Sequence, residues 1–175
     1  MKLMFASDIH GSSYFAELML KKYREEGAER LILLGDLLYH GPRNDLPHGY
    51  APKEVIELLN SVKNEILCVR GNCDTEVDQM VLSFPILADY ALIYLDNKAV
   101  YITHGHKYNP ESLPPLKDGD ILMNGHTHIS DDKIIKTCFG SVRYLNPGSV
   151  SIPKNGTGHS YLIYENGDFT LKNII

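Results

Sequence analysis

A chain of 175 residues with 43% apolar and 22% charged residues is composed like one globular domain, and it is long enough to close a hydrophobic core. Seventeen Lys and Arg against 22 Asp and Glu give a net charge of −5, which argues against a nucleic-acid partner gripped by its backbone. Three cysteines, with no CxxC pair, favour free thiols over a disulfide framework, and no run approaches the roughly 18 apolar residues of a membrane helix. The expectation is a cytoplasmic protein with a single domain over residues 1–175 and no membrane association.

In chain order, Leu3 to Ser7 reads as a buried strand, too short for a signal sequence. Ser12 or Ser13 caps a helix that carries Phe15, Leu18, Met19 and Tyr23 on one face and stops at Gly27. Leu31 to Leu34 is a second strand, followed by a Gly-, Pro- and Asn-rich loop from Tyr39 to Ala51. Pro52 suits the first turn of a second helix with Val55, Ile56, Leu58, Leu59 and Val62 inward, and Ile66 to Val69 is a third strand. This β-α-β-α-β order predicts a parallel sheet with packed helices.

The second half has a different texture. Ala91 to Leu95 and Ala99 to Thr103 flank Asp96-Asn97 as a hairpin, and Asn166-Gly167 joins Tyr161 to Tyr164 with Phe169 to Leu171. Between them lie apolar runs at Ile121 to Met123, Ile134 to Cys138 and Val142 to Leu145. These short strands predict a second, largely antiparallel sheet facing the first, with helices outside.

Polar clusters fall at five strand ends: Asp8-Ile9-His10, Gly35-Asp36, Gly71-Asn72-Cys73-Asp74, Thr103-His104-Gly105-His106 and Gly125-His126-Thr127-His128. Ligands of open α/β sheets gather beyond the carboxyl ends of the strands, so the five loops can converge on one site. Residues two apart in extended backbone point the same way, so Asp8 with His10, and His126 with His128, can face one centre. With Asp36, Asn72 and His104 they make seven N/O ligands. That is too many for one tetrahedral ion and suits two ions that share a carboxylate. Imidazole mixed with carboxylate favours Mn, Fe, Zn, Co or Ni over Ca or Mg. A lone Asp-x-His or Gly-Asp is ordinarily a turn; five such clusters, each after an apolar run, point to metal.

The ordered set Asp-x-His, Gly-Asp, Gly-Asn-x-Asp, a later His and Gly-His-x-His resembles the calcineurin-like metallophosphoesterases. The segments His40-Gly41-Pro42-Arg43-Asn44 and Asn146-Pro147-Gly148-Ser149 are similar to those of its small prokaryotic phosphodiesterases. The resemblance implies an α/β fold, a four-layer αββα sandwich of two mixed sheets flanked by helices. It implies that Asp8, His10, Asp36 and His128 hold one metal, and Asp36, Asn72, His104 and His126 the other. Asp36, Asn72 and His104 would then be catalytic, with manganese as the expected ion.

The resemblance also implies a dinuclear phosphodiesterase acting on a small diester through metal-bridged hydroxide. A phosphomonoesterase on the same ions, or a non-catalytic metal-binding scaffold, are the alternatives. Cys73 departs from the histidine found there in many members, and a thiol is a poor proton donor. His106 and His40 are the other candidate donors. Cys73, Arg43 and Asn44 are the candidate substrate contacts. Arg43 equally suits a solvated loop, and Pro147-Gly148 a simple turn.

Overall fold

A computed structural model describes residues 1–175. It contains strands β1 (Lys2–Ala6), β2 (Arg30–Leu33), β3 (Ile66–Cys68), β4 (Tyr90–Leu95) and β5 (Lys98–Thr103), then β6 (Ile121–Met123), β7 (Ser130–Thr137), β8 (Gly140–Pro147), β9 (Ser160–Glu165) and β10 (Asp168–Asn173). Helices α1 (Ser13–Glu26) and α2 (Pro52–Ser61) follow β1 and β2, and a single turn, α3 (Glu76–Gln79), follows β3.

Helix α1 starts and stops where its sequence directs. Ser12 Oγ accepts from Phe15 N–H at 3.2 Å, and Gly27 ends the helix in the left-handed region at φ 64°. Pro52 opens α2, where its missing N–H costs nothing. The turn α3, which hydrophobic periodicity does not reveal, is held by a Thr75–Asp78 capping box.

The first sheet has the order β10-β9-β1-β2-β3, with β1, β2 and β3 parallel. Alternation along β1 and β2 divides two cores. Met4, Leu31 and Leu33 face α1 and α2, meeting Phe15, Met19, Tyr23, Val55 and Leu59. Leu3, Phe5 and Ile32 face the second sheet, meeting Val100, Ile102, Met123 and Leu145. Burial on both faces explains why these strands read as unbroken apolar runs.

Three expectations are corrected. The hairpin β9–β10 belongs to the first sheet, where β9 runs antiparallel to β1. The second sheet, β4-β5-β6-β8-β7, is mixed rather than largely antiparallel: β5, β6 and β8 are mutually parallel, with an antiparallel neighbour at each side. The strand placed at Ile134 begins at Ser130, because its polar start pairs with β8 despite carrying no apolar signal.

The two mixed sheets are present, and helices flank one side only. On the outer face of the second sheet, Tyr101, Leu122, Val142 and Tyr144 are covered by Leu116, with Leu113 and Tyr108 beside it. This segment carries Pro110, Pro114 and Pro115, whose missing N–H groups prevent a helix. The parallel strands of both sheets deliver their carboxyl ends to one edge of the sandwich, where the polar loops gather.

Candidate metal centre

All seven ligand candidates converge at that edge in two adjoining sets. Asp8, His10 and His128 form one group, and Asp36, His104 and His126 form another. Asp8 Oδ1 lies 3.5 Å from His10 Nε2 and 3.3 Å from His128 Nε2, and the two imidazole nitrogens are 3.1 Å apart. In the second group His104 Nε2 lies 3.1 Å from Asn72 Oδ1, 3.2 Å from His126 Nδ1 and 3.4 Å from Asp36 Oδ2. Asp36 Oδ2 is also 3.7 Å from His10 Nε2, so one carboxylate oxygen stands between the sets.

The donor chemistry fits metal. His10 Nδ1 faces the Tyr39 carbonyl at 2.7 Å, His104 Nδ1 the Leu34 carbonyl at 2.6 Å and His128 Nδ1 the Ile152 carbonyl at 2.7 Å. A carbonyl only accepts, so each Nδ1 donates, and each Nε2 of a neutral ring turns a lone pair inward. In the first set two lone pairs therefore meet beside Asp8 Oδ1, which is buried and has no hydrogen-bond donor. Such a site requires positive charge among its donors. Ligands ~2.0–2.2 Å from a common ion stand ~3.0–3.5 Å from one another, and all of these separations except the 3.7 Å one fall in that range.

The surrounding charge acts in the same sense. Burial pushes the Asp8 carboxyl up, yet His10 and His128 outweigh it and hold the group well below the usual range. Burial lowers His104, but the Asp36 hydrogen bond and the charges of Asp8 and Asp36 lift it to about 9. His106 is lowered to about 4, by burial first and then by His104 and His126. It is therefore neutral at neutral pH and unsuited to donate a proton as imidazolium.

The backbone corrects the spacing argument. Asp8, His10, Asp36, His126 and His128 all have left-handed φ, between 49° and 68°. They are not extended, so the two-residue rule does not govern them, and His126 and His128 turn to different sets. Left-handed backbone at non-glycine residues costs ~1–3 kcal/mol each and persists only where surroundings enforce it. The enforcing contacts are visible. Ser149 Oγ and Ser151 Oγ donate to Asp8 O at 2.8 and 3.2 Å, and Asp8 Oδ2 accepts from His126 N–H at 3.0 Å. Asn146 Nδ2 donates to Gly125 O at 3.0 Å and to Thr127 Oγ1 at 3.0 Å. The Asn146 to Ser149 segment is thus a brace for two ligand loops rather than a turn alone.

Asp74 has a role the sequence left open. Its buried carboxylate accepts from Gly71 N–H at 2.7 Å, Asp36 N–H at 2.8 Å and Leu37 N–H at 2.9 Å, tying the Asp36 loop to the Asn72 loop. Cys73 N–H donates to Asp36 Oδ1 at 2.8 Å. The Cys73 thiol is pushed up by burial and then by Asp36, so it remains protonated at neutral pH.

A cavity of ≈ 360 Å³ opens on the centre, lined by Asp36, Arg43, Asn44, Cys73, His128 and Lys154 among others. All three candidate substrate contacts therefore border it. Asn44 Nδ2 donates to His40 O at 2.7 Å, which stiffens the loop carrying Arg43. Lys154 was not foreseen: it lies just beyond the Asn146 to Ser149 segment without a signal of its own, and enters because its N–H bonds to His128 O at 3.0 Å. His40 packs edge-on between Tyr39 and Tyr50 and does not line the cavity.

Fold and centre together define a metal-dependent phosphoesterase. The chain belongs to the calcineurin-like phosphoesterase superfamily, whose domain model matches residues 1–168. Among its relatives is phosphodiesterase YfcE of Escherichia coli (strain K12), 50% identical over 166 residues that span 95% of this chain and 88% of that protein. The solved structure of YfcE, a phosphoesterase from E. coli, superposes with a TM-score of 0.95 at 48% identity, covering 99% of this chain and 93% of that one. A zinc-complexed Vps29 from Entamoeba histolytica shares the fold at a TM-score of 0.60 and 18% identity, covering 98% of this chain and 97% of that one.

Proposed function

We propose that this protein is a phosphodiesterase that hydrolyses a small phosphate diester at a pair of divalent transition-metal ions. The observation that carries this reading is Asp36 Oδ2, placed between His104 Nε2 at 3.4 Å and His10 Nε2 at 3.7 Å. Asp8, His10, Asp36 and His128 would hold one ion, and Asp36, Asn72, His104 and His126 the other. Bound there, the ions supply Lewis-acid chemistry: they lower the pKa of water and neutralise the phosphate oxygens. Imidazole and carboxylate donors suit Mn, Fe, Co, Ni or Zn, and the family resemblance makes manganese the ion proposed.

The chain's own residues do the rest. The backbone braces on Asp8, Asp36 and His126 fix the donor geometry before substrate arrives, so no reorganisation is needed during reaction. Two dications against the carboxylates of Asp8 and Asp36 leave a local charge of about +2 in an otherwise acidic protein. Arg43 and Lys154 add cationic groups at the cavity wall. They orient the diester's nonbridging oxygens. Cys73, protonated and half-buried, offers the leaving group only a weak donor.

A diester is favoured over a monoester by space. Two cavities, of ≈ 360 and ≈ 400 Å³, share His126 and Thr127 in their walls, which supports a substrate with an organic group beyond the phosphate. The inter-sheet core is continuous, which supports one catalytic domain. No helix is long and apolar enough to cross a membrane, and three unpaired cysteines support a reducing, cytoplasmic setting. The test is release of nitrophenol from bis-p-nitrophenyl phosphate and p-nitrophenyl phosphate by metal-stripped protein, with Mn, Ni, Co, Zn or Mg restored. Metal-dependent turnover of the diester with little of the monoester is expected. The reverse preference establishes a phosphomonoesterase, and tight metal binding without turnover establishes a scaffold.

A further inference from the structure

A third cavity, of ≈ 420 Å³, opens between the start of α2, the turn α3 and the loop after β2. Seven of the 11 residues lining it are hydrophobic, against 1 of 11 around the cavity at the metal centre. Leu38, Tyr39, Tyr50, Ile56, Val77 and Val81 carry this surface. Three of them remain in water: Tyr39 is 43% exposed, Val77 69% and Val81 44%. Large apolar side chains gathered on one exposed concave surface mark a place where something apolar binds.

One wall of this cavity is fixed before any ligand arrives. The Thr75–Asp78 capping box holds α3, with Asp78 Oδ2 accepting from Thr75 N–H at 2.7 Å and from Thr75 Oγ1 at 2.8 Å. Gln79 ties down the chain beyond the turn. Its Nε2 donates to Leu82 O at 3.0 Å and to Phe84 O at 2.9 Å, and its Oε1 accepts from Ile86 N–H at 2.8 Å. Val77 and Val81 therefore stand on a braced segment, and little ordering is needed on binding. Lys53 and Asp78 bring one charge of each sign to the lining, which leaves no net charge to draw an ion.

Cys73 lines this cavity and the one at the metal centre alike. Its thiol stays protonated and neutral, so it presents a small hydrophobe at the boundary of the two. We propose that the third cavity receives an apolar leaving-group arm of the phosphodiester, which passes Cys73 on its way from the metal centre. The inference rests on the phosphodiesterase reading and names the character of one substrate arm. Cys73 faces the leaving group in that reading, so the arm that lies beyond it is the one that departs. A sugar-like arm would give up water for a mostly apolar wall, whereas an alkyl or aryl arm gains from the same burial.

The test uses the methyl phosphodiesters of 4-methyl-, 4-propyl- and 4-pentyl-2-nitrophenol with the manganese-loaded protein. The growing alkyl group leaves the acidity of the nitrophenol nearly constant, so the chemistry is matched along the series. Half-buried methylenes are worth roughly twofold each, so kcat/KM should rise about tenfold from the methyl to the pentyl compound. Val77→Asn combined with Val81→Asn, both at exposed positions, should bring the pentyl-to-methyl ratio to within about twofold of one. The ratio compares two substrates in one protein, so a general loss of activity cancels. Met80→Asn changes an apolar residue of the same segment, 83% exposed and outside the cavity lining, and should keep the wild-type ratio.

A wild-type ratio near one, a ratio unchanged in the double variant, or an equal loss in Met80→Asn overturns the assignment while leaving a working phosphodiesterase. A wild-type ratio near one, together with a double variant that sediments as a smaller species, gives the surface to a second copy of the chain instead. Failure to hydrolyse any of these diesters removes the phosphodiesterase reading, and this proposal with it.

Discussion

Gly71→Ala isolates the packing that presents Asp36. Gly71 has no left-handed φ, so alanine meets no conformational penalty there. A Cβ at this position would nevertheless lie 2.1 Å from Asp36 Oδ1 and 2.3 Å from Asp36 N. The side-chain oxygen could swing away, but the backbone nitrogen must retreat by about 0.7 Å to reach even the 3.0 Å limit that Cβ atoms respect. That nitrogen is clamped to Asp74 Oδ2 at 2.8 Å, so the movement strains the brace as well as the ligand. Overpacking of this kind costs ~1–3 kcal/mol of stability. A shift near 1 Å at a catalytic group costs ~10²-fold in rate. Denaturant unfolding and kcat at saturating manganese, with diester substrate, measure the two effects. The expected result is a folded protein with kcat down roughly 30- to 100-fold and weakened manganese affinity. Activity and affinity within twofold of wild type would refute the claim that close approach of these two loops sets the centre.

Further expectations follow from other contacts. Glu26 joins Lys172 at 2.7 Å, Lys2 at 2.9 Å and the Tyr161 hydroxyl at 3.0 Å; burial pushes its carboxyl up, and these partners outweigh it, lowering it from 4.5 to about 2. Its stabilisation is therefore complete above pH 4.5 and lost as pH falls toward 2, so Glu26→Gln should cost ~1–2 kcal/mol at pH 7. In urea melts the gap from wild type should close across that window; a gap constant down to pH 2 contradicts the assignment. Arg43→Ala and Lys154→Ala should each raise KM for a diester roughly three- to tenfold with kcat changed less, and steady-state kinetics showing no KM change would remove both from substrate binding. If Cys73 is a weak proton donor, aryl diesters should react far faster than alkyl diesters, and Cys73→His should help the alkyl compounds most. Equal rates for aryl and alkyl leaving groups, with chemistry limiting, would sink that idea.

Much of the candidate site was legible because its residues sit at strand ends, where an apolar run gives way to Asp, Asn or His beside Gly. What sequence could not show is backbone handedness. Five candidate ligands adopt left-handed φ, a state that Asp and His enter more readily than most residues but whose positions are set by Ser149, Ser151 and Asn146 from across the fold. Lys154 was invisible for a similar reason, since it reaches the site through a single backbone bond to a distant loop. In the fold, local signals at Ser12, Gly27, Pro52 and Asp96-Asn97 placed element ends well. Sheet membership was not local: β9 and β10 resemble any hairpin, and their pairing with β1 is decided by Leu162 and Tyr164 filling the inter-sheet core. The one-sided helical layer followed from prolines at 110, 114 and 115, whose effect on the outer face of the second sheet was not anticipated.

The most direct test of the account is the metal stoichiometry of Asp36→Asn beside the wild type, measured by equilibrium dialysis against manganese with elemental analysis and followed by diester turnover. A shared carboxylate predicts two ions per wild-type chain, and loss of at least one in the variant, with activity abolished and thermal stability nearly retained. Two ions still bound with full turnover in Asp36→Asn would contradict the central claim that Asp36 joins the two sets of ligands into one catalytic centre.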